Sequence, residues 1–304
     1  MVRSLFVVAA VLVAGLAAVS NGQEVTSCGV PVVDPVLTSV TKVRGGETAK
    51  KGSWPWQVRL GMRDFLGRTQ FFCGGSIIDK DHILTASHCF AQGTPFGATF
   101  FVRVGDHQDN TVEVGQKDYN IKTIRKHAQF GMTATGVSND IALLKLSSSI
   151  AFSDSVSPVC LPEKNSDTLP GRTCVVTGWG STVNQSTGIF RAPAQPILRP
   201  STVLKQAKMS ILDRDTCKQA WRPIVIRDYM TCTYDDADEW VANVHGEPCQ
   251  GDSGGPMACK VDGSSTWNVE GVVSFGAGCG QRGPAVFTRV ASFIDWIDQQ
   301  KLTL

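Results

Sequence analysis

Gly251-Asp252-Ser253-Gly254-Gly255-Pro256 sets a single serine inside a glycine-rich turn. Glycine lets the backbone turn sharply and bring its N–H groups close to a developing negative charge. A serine hydroxyl alone is a poor nucleophile, so chemistry at Ser253 requires a base and donors for an oxyanion. Upstream, Thr85-Ala86-Ser87-His88-Cys89 supplies an imidazole, and Asn139-Asp140-Ile141-Ala142-Leu143-Leu144 supplies a carboxylate. The chain order is therefore His, Asp, Ser. Taken alone, the hexapeptide also suits a purely structural turn. The other two segments argue against that reading.

Together these segments resemble the trypsin/chymotrypsin family of serine proteases, whose catalytic side chains form a Ser-His-Asp constellation. The likeness runs through most of the chain. Cys28-Gly29-Val30-Pro31 is similar to the start of a chymotrypsinogen-type propeptide. Gly52-Ser53-Trp54-Pro55-Trp56-Gln57-Val58, Cys73-Gly74-Gly75-Ser76, Val159-Cys160-Leu161-Pro162 and Thr177-Gly178-Trp179-Gly180 match family landmarks in order.

Strand-like runs agree with an all-β class. Val58-Arg59-Leu60, Phe100 to Val104, Asp140 to Leu146, Thr173 to Thr177, Trp267 to Phe275 and Ala285 to Val290 are separated by Gly-, Pro- and Asn-containing turns. Only Ala291 to Lys301 has helical periodicity, with Phe293, Ile294, Trp296 and Ile297 on one face. The resemblance implies two antiparallel six-stranded β-barrels with the active site between them. It places the protease domain over 43–304, with one barrel over about 43–155 and the other over about 172–290. A C-terminal α-helix follows over about 291–301, and Ser147 to Gly171 is the crossing linker.

Composition narrows the function classes. With a formal net charge of +2 and interspersed signs, the chain has no basic stripe of the kind nucleic-acid binders need. No block of like charge suggests a membrane-surface patch. Residues 1–20 read as a secretory signal peptide, with Arg3, an apolar run from Leu5 to Val19, and the small residues Ala18-Val19-Ser20. The run is short for a membrane span and no basic stop-transfer cluster follows it. The expected product is exported, extracellular and monomeric.

Ten cysteines in an exported chain point to disulfides. No Cys-x-x-Cys and His pair has zinc-ligand spacing. The pairing that the resemblance implies is Cys28–Cys160, Cys73–Cys89, Cys174–Cys259, Cys217–Cys232 and Cys249–Cys279.

The resemblance also assigns roles. Ser253 is the nucleophile, His88 the general base and then general acid, and Asp140 the group that orients the imidazole. Gly251 and Ser253 offer oxyanion-hole N–H groups. Ser87 stands where the family usually has alanine and reads as a tolerated small residue. Ser274-Phe275-Gly276 corresponds to the strand that pairs with an extended substrate backbone. Lys42-Val43 aligns with an activation bond, so residues 21–42 form a propeptide. Cleavage there would free a Val43 ammonium to pair with Asp252. The following Arg44 is a departure that offers a second basic cutting position.

Glu247 falls at the floor of the primary specificity pocket, with Gly276 and Ala285 on its walls. A carboxylate there favours Lys or Arg before the cut. The alternative is that Glu247 swings out and leaves an apolar slot for large side chains, as in chymotrypsins. A more distant alternative is an inactive homologue used as a binding module. No cofactor is required for the chemistry. Asp106, Asp109, Glu113 and Asp118 offer oxygens for calcium, although Lys117 sits near one expected ligand position. Asn184-Gln185-Ser186 is an N-glycosylation sequon. Expected partners are protein or peptide substrates, an activating protease and protein protease inhibitors, with no nucleic acid and no membrane. Ser181 to Val203 and Thr233 to Pro248 look expanded and read as solvated surface loops; the alternative is that both rim the substrate cleft and restrict which proteins enter.

Overall fold

The computed structural model describes residues 27–37, 46–109, 111–181, 200–235, 251–276 and 283–304. The leader, Lys42, Val43, Asn184, Glu247, Cys249 and Cys279 lie outside the described residues.

Strand β1 (Glu47–Thr48) precedes the strands of the first barrel. These are β2 (Gln57–Arg63), β3 (Thr69–Ile77), β4 (His82–Thr85), β5 (Thr99–Val104) and β6 (Lys117–Lys126), then β9 (Ala142–Leu146). The short hairpin β7 (Gly131–Thr133) and β8 (Gly136–Ser138) intervenes. The barrel closes in the order β2-β3-β4-β9-β6-β5. Closure removes free sheet edges and turns alternate side chains inward. Leu60 of β2 faces Val102 of β5 in register, and both are fully buried with Val58, Leu143 and Leu144. Full burial of each such side chain stabilises the fold by roughly 1.5–3 kcal/mol.

The second sheet contains β10 (Thr173–Gly178), β11 (Lys205–Leu212), β12 (Met230–Asp235), β13 (Pro256–Lys260), β14 (Trp267–Phe275) and β15 (Ala285–Arg289). Its order is β11-β10-β13-β14-β15-β12, and an added β11–β12 pairing closes it as a second six-stranded antiparallel barrel. Val176, Met209, Ile211, Met257 and Phe287 fill it. β1 crosses over to extend this sheet beyond β11.

Two joints hold the barrels together. The indole of Trp54 packs edge-on against Trp56 and Trp267, with centroids 5.8 and 5.0 Å away, and its Nε1 donates to Gln206 Oε1 at 2.8 Å. Deeper in, Thr177 Oγ1 donates to Gln57 Oε1 at 2.6 Å. A buried hydrogen bond of this kind fixes relative position because leaving either group unpaired is costly.

The C-terminal segment forms a 3₁₀ turn (Val290–Phe293) and then α2 (Ile294–Thr303). An additional helix, α1 (Arg214–Ala220), is not anticipated by periodicity. It is short, and Asp213 starts it by accepting from the N–H groups of Asp215 and Thr216. Four disulfides join Cys28–Cys160, Cys73–Cys89, Cys174–Cys259 and Cys217–Cys232, and no free cysteine occurs among the described residues. No helix among the described residues is long and apolar enough to cross a membrane.

Candidate active site

His88 sits in a 3₁₀ turn (Ser87–Phe90) directly after β4. The Cys73–Cys89 bridge pins that turn to β3. Ser87, expected to be only a tolerated small residue, is fully buried and donates to Ile141 O at 2.6 Å. Its hydroxyl therefore ties the histidine turn to the segment that carries Asp140.

That segment is bent before it becomes a strand. Asn139 has φ +47°, Ile141 N–H donates back to Asn139 O at 2.9 Å, and β9 begins only at Ala142. Asparagine tolerates this left-handed backbone better than most residues. The bend turns the buried Asp140 carboxylate toward His88. His88 Nδ1 donates to Asp140 Oδ2 at 2.7 Å, and the His88 backbone N–H donates to Oδ1 at 2.9 Å. An ionised carboxylate only accepts, so Nδ1 carries the hydrogen and Nε2 of the neutral ring keeps its lone pair.

The second barrel completes the shell around Asp140. Ser274 Oγ donates to Oδ2 at 2.6 Å, and Thr288 Oγ1 donates to the Asp140 carbonyl at 2.8 Å. Ser274, expected on the strand that pairs with substrate backbone, places its side-chain hydroxyl on this carboxylate. Neither bond has a local signal, because β14 and β15 deliver these hydroxyls from far along the chain.

Ser253 occupies a turn between Gly251 (φ +104°) and Gly254 (φ +77°) and is half-buried. Gly255 N–H closes the turn onto Asp252 O, and Gly254 N–H donates to Val273 O, both at 2.9 Å. Gly74 N–H of the first barrel donates to Ser253 O at 2.8 Å. The Cys89 sulfur lies 4.0 Å from His88 Nε2 and 3.8 Å from Ser253 O, so imidazole and serine flank the same bridge. His88 and Asp140 are thus hydrogen-bonded at the junction of the barrels, and the Ser253 turn adjoins them across the Cys73–Cys89 bridge.

Asp252 points the other way. Its Oδ1 accepts from Gly180 N–H at 2.8 Å. A Cβ on Gly178 would lie 1.9 Å from Asp252 Oδ1, and one on Gly180 would lie 2.1 Å from Oδ2. Only glycine at both positions lets the carboxylate approach the backbone this closely.

On the substrate side, Phe275 packs edge-on against Trp221, with centroids 5.2 Å apart, and Ala285 is buried in β15. Gly276 is exposed and leaves open space beside its Cα.

The four acidic residues considered for calcium face cations of the chain itself. Arg59 is buried and its Nη1 reaches both Asp106 (3.2 Å) and Asp109. The same guanidinium stacks on Phe71 and Trp179. Asp118 takes Arg103 and Arg63, and Lys51 meets Glu113 at 3.3 Å. Burial raises the Asp106 carboxyl above its ordinary pKa despite the attraction of Arg59. Glu113 Oε2 alone among these carboxylate oxygens is buried without a hydrogen-bond partner. Calcium takes roughly six to eight oxygens. This donor set does not fit it. Cys73, His88 and Cys89 also cluster, but a disulfide offers no thiolates.

Two comparisons bear on these features. The family model described as Trypsin matches residues 43–297. Bovine (Bos taurus) Chymotrypsin-C is 36% identical over 281 residues, covering 90% of this chain and 94% of the relative. The double barrel, the His88–Asp140–Ser253 junction and these matches agree: the chain belongs to the trypsin/chymotrypsin family of serine endopeptidases.

Proposed function

We propose that His88, Asp140 and Ser253 form the catalytic triad of an enzyme made as a zymogen. The observation that supports this reading is the continuous hydrogen-bonded chain Ser274–Asp140–His88, beside a Cys73–Cys89 bridge that also adjoins the Ser253 backbone. Ser253 Oγ attacks the scissile carbonyl carbon while its proton passes to His88 Nε2. The N–H groups of Gly251 and Ser253 receive the oxyanion. The C–N bond then breaks, and His88 gives the proton to the departing amine. Water attacks the acyl-serine next, losing a proton to His88, which returns it to Ser253.

Residues 1–20 act as the signal peptide and 21–42 as the propeptide of a secreted protein. Four disulfides support maturation in an oxidising compartment. Cleavage after Lys42 frees Val43 to pair with Asp252, adjoining the oxyanion turn. The charge of Glu247 directs cleavage after Lys or Arg, and the activated enzyme accepts protein protease inhibitors in the same cleft.

A fluorophosphonate probe tests the nucleophile. After trypsin-type activation it labels the native chain at Ser253, and Ser253→Ala takes no label. Labelling that persists in the alanine variant overturns the assignment.

A further inference from the structure

Arg59 belongs to β2 of the first barrel, yet its buried guanidinium reaches a residue of the second. The charge sits between Asp106 Oδ2, at 3.2 Å, and Asp109 Oδ1. Its central carbon lies over the Phe71 ring at 4.0 Å and over the Trp179 ring at 4.9 Å. A planar cation suits such a place, because its faces stack on rings while its edge donates to carboxylates.

Trp179 leads from this cluster to the serine turn. Its indole Nε1 donates to His107 O at 3.1 Å, within the loop that supplies Asp106 and Asp109. Asp109 N–H to Thr202 O (2.7 Å) and Leu204 N–H to His107 O (2.8 Å) stitch that loop to the segment before β11. The main chain of Trp179 and Gly180 then lies against Gly251. A Cβ on Gly251 would fall 3.3 Å from Gly180 Cα and 3.6 Å from Trp179 O. Next to it, Gly180 N–H donates to Asp252 Oδ1 at 2.8 Å. Interiors packed this densely transmit displacements, so the seat of the Trp179 ring bears on the seat of Gly251.

We propose that Arg59 is a positioning residue for the oxyanion turn, holding Gly251 in place through the indole and main chain of Trp179. The proposal rests on the triad reading above and deepens it. Arg59 touches no reacting atom. An oxyanion donor works only when it is already aimed at the point where charge develops. A misplacement of about 1 Å can cost about a hundredfold in rate. Arg63, also on β2, pairs with Asp118 and stacks on Phe101. It supplies the control for loss of a cation from the same strand.

The test uses activated full-length protein, with active sites counted by end-point fluorophosphonate labelling. Peptide anilides with Lys and, in parallel, Phe before the scissile bond give kcat and KM. Matched peptide aldehydes probe the oxyanion site directly. The Ser253 Oγ–C bond forms, the carbonyl π pair moves to oxygen, and the Oγ proton passes to His88. The corresponding peptide alcohols form no such bond. Arg59→Met should lower kcat per active site about tenfold and weaken the aldehyde about tenfold, part of the loss expected for a whole donor. KM and alcohol binding should stay within about twofold of native. Arg59→Lys, which keeps the charge between the carboxylates, should recover part of the loss, and Arg63→Met should match native. If Arg59→Met does not fold, Asp109→Asn, at the more exposed of the two carboxylates, is read the same way. Native kcat and aldehyde affinity alongside a lowered Tm would show a merely structural role and overturn the proposal. A change confined to KM, or an equal loss in Arg63→Met, likewise overturns it. Failure of the native protein to label would refute the triad reading itself, a result separate from any of these.

Discussion

Asp140 receives four hydrogen bonds, two from His88, one from Ser274 and one, on its carbonyl, from Thr288. A buried carboxylate is tolerated only with such partners. Ser274 touches no reacting atom and acts through Asp140, which makes it a positioning residue. Ser274→Ala removes a hydrogen bond to a charged group, worth roughly 1.5–3 kcal/mol. Steady-state kinetics should show kcat falling by about tenfold to a hundredfold with KM nearly unchanged. Ser274→Thr, which keeps the hydroxyl, should recover most of it. A change confined to KM would mean the side chain mainly contacts substrate. The candidate site was legible where its signals are local: the serine turn, the histidine beside cysteine and the aspartate before an apolar run. Ser274 and Thr288 lie 134 and 148 residues from Asp140, and only the closing of the second barrel reveals their contact. Ser87 was legible as a departure from the family pattern, but its bond to Ile141 was not.

At the level of elements, α2 docks onto the first barrel through an ionic latch. Lys301 Nζ lies 2.8 Å from Asp79 Oδ2, and His82 Nδ1 lies 2.8 Å from Asp79 Oδ1. Burial alone would raise the Asp79 carboxyl, yet hydrogen bonds from His82 and Lys301 outweigh it and hold the pKa well below the ordinary range. A depressed folded pKa gives stability that is fully present above the unfolded value, near 3.9, and is lost as pH falls through the folded value. Asp79→Asn should therefore cost about 1–3 kcal/mol at pH 7. Thermal melts at pH 7 and pH 2.5 should show the gap between native and variant narrowing in acid. A gap that widens would reverse the sign. The periodicity of Ala291 to Lys301 foretold a helix, although its first turn is 3₁₀. α1 escaped because seven residues hold too few turns to display a period; the Asp213 cap was its one local sign.

For the whole molecule, the two barrels were legible as strand runs and turns, while their closure was implied only by resemblance. Strand pairing across long separations leaves no mark in either partner alone. The same holds for the segment before the protease domain. Besides Cys28–Cys160, Gly29 exchanges backbone hydrogen bonds with Pro158 and Trp267 at 2.8 Å, and Gln206 Nε2 donates to Val36 O at 2.7 Å. After cleavage at Lys42, non-reducing electrophoresis should show one species, and reductant should release a short N-terminal chain. Release without reductant would refute the tether. The loop around Asp106 holds a different kind of attachment. Its cation is the side chain of Arg59, joined to the backbone and stacked between aromatic rings. A bound ion exchanges with the medium and departs on dilution, whereas a guanidinium is present in every molecule at one equivalent. The order of this loop is thereby inherited with the sequence, and chelators or the mineral content of the surrounding fluid have no counterion there to take away.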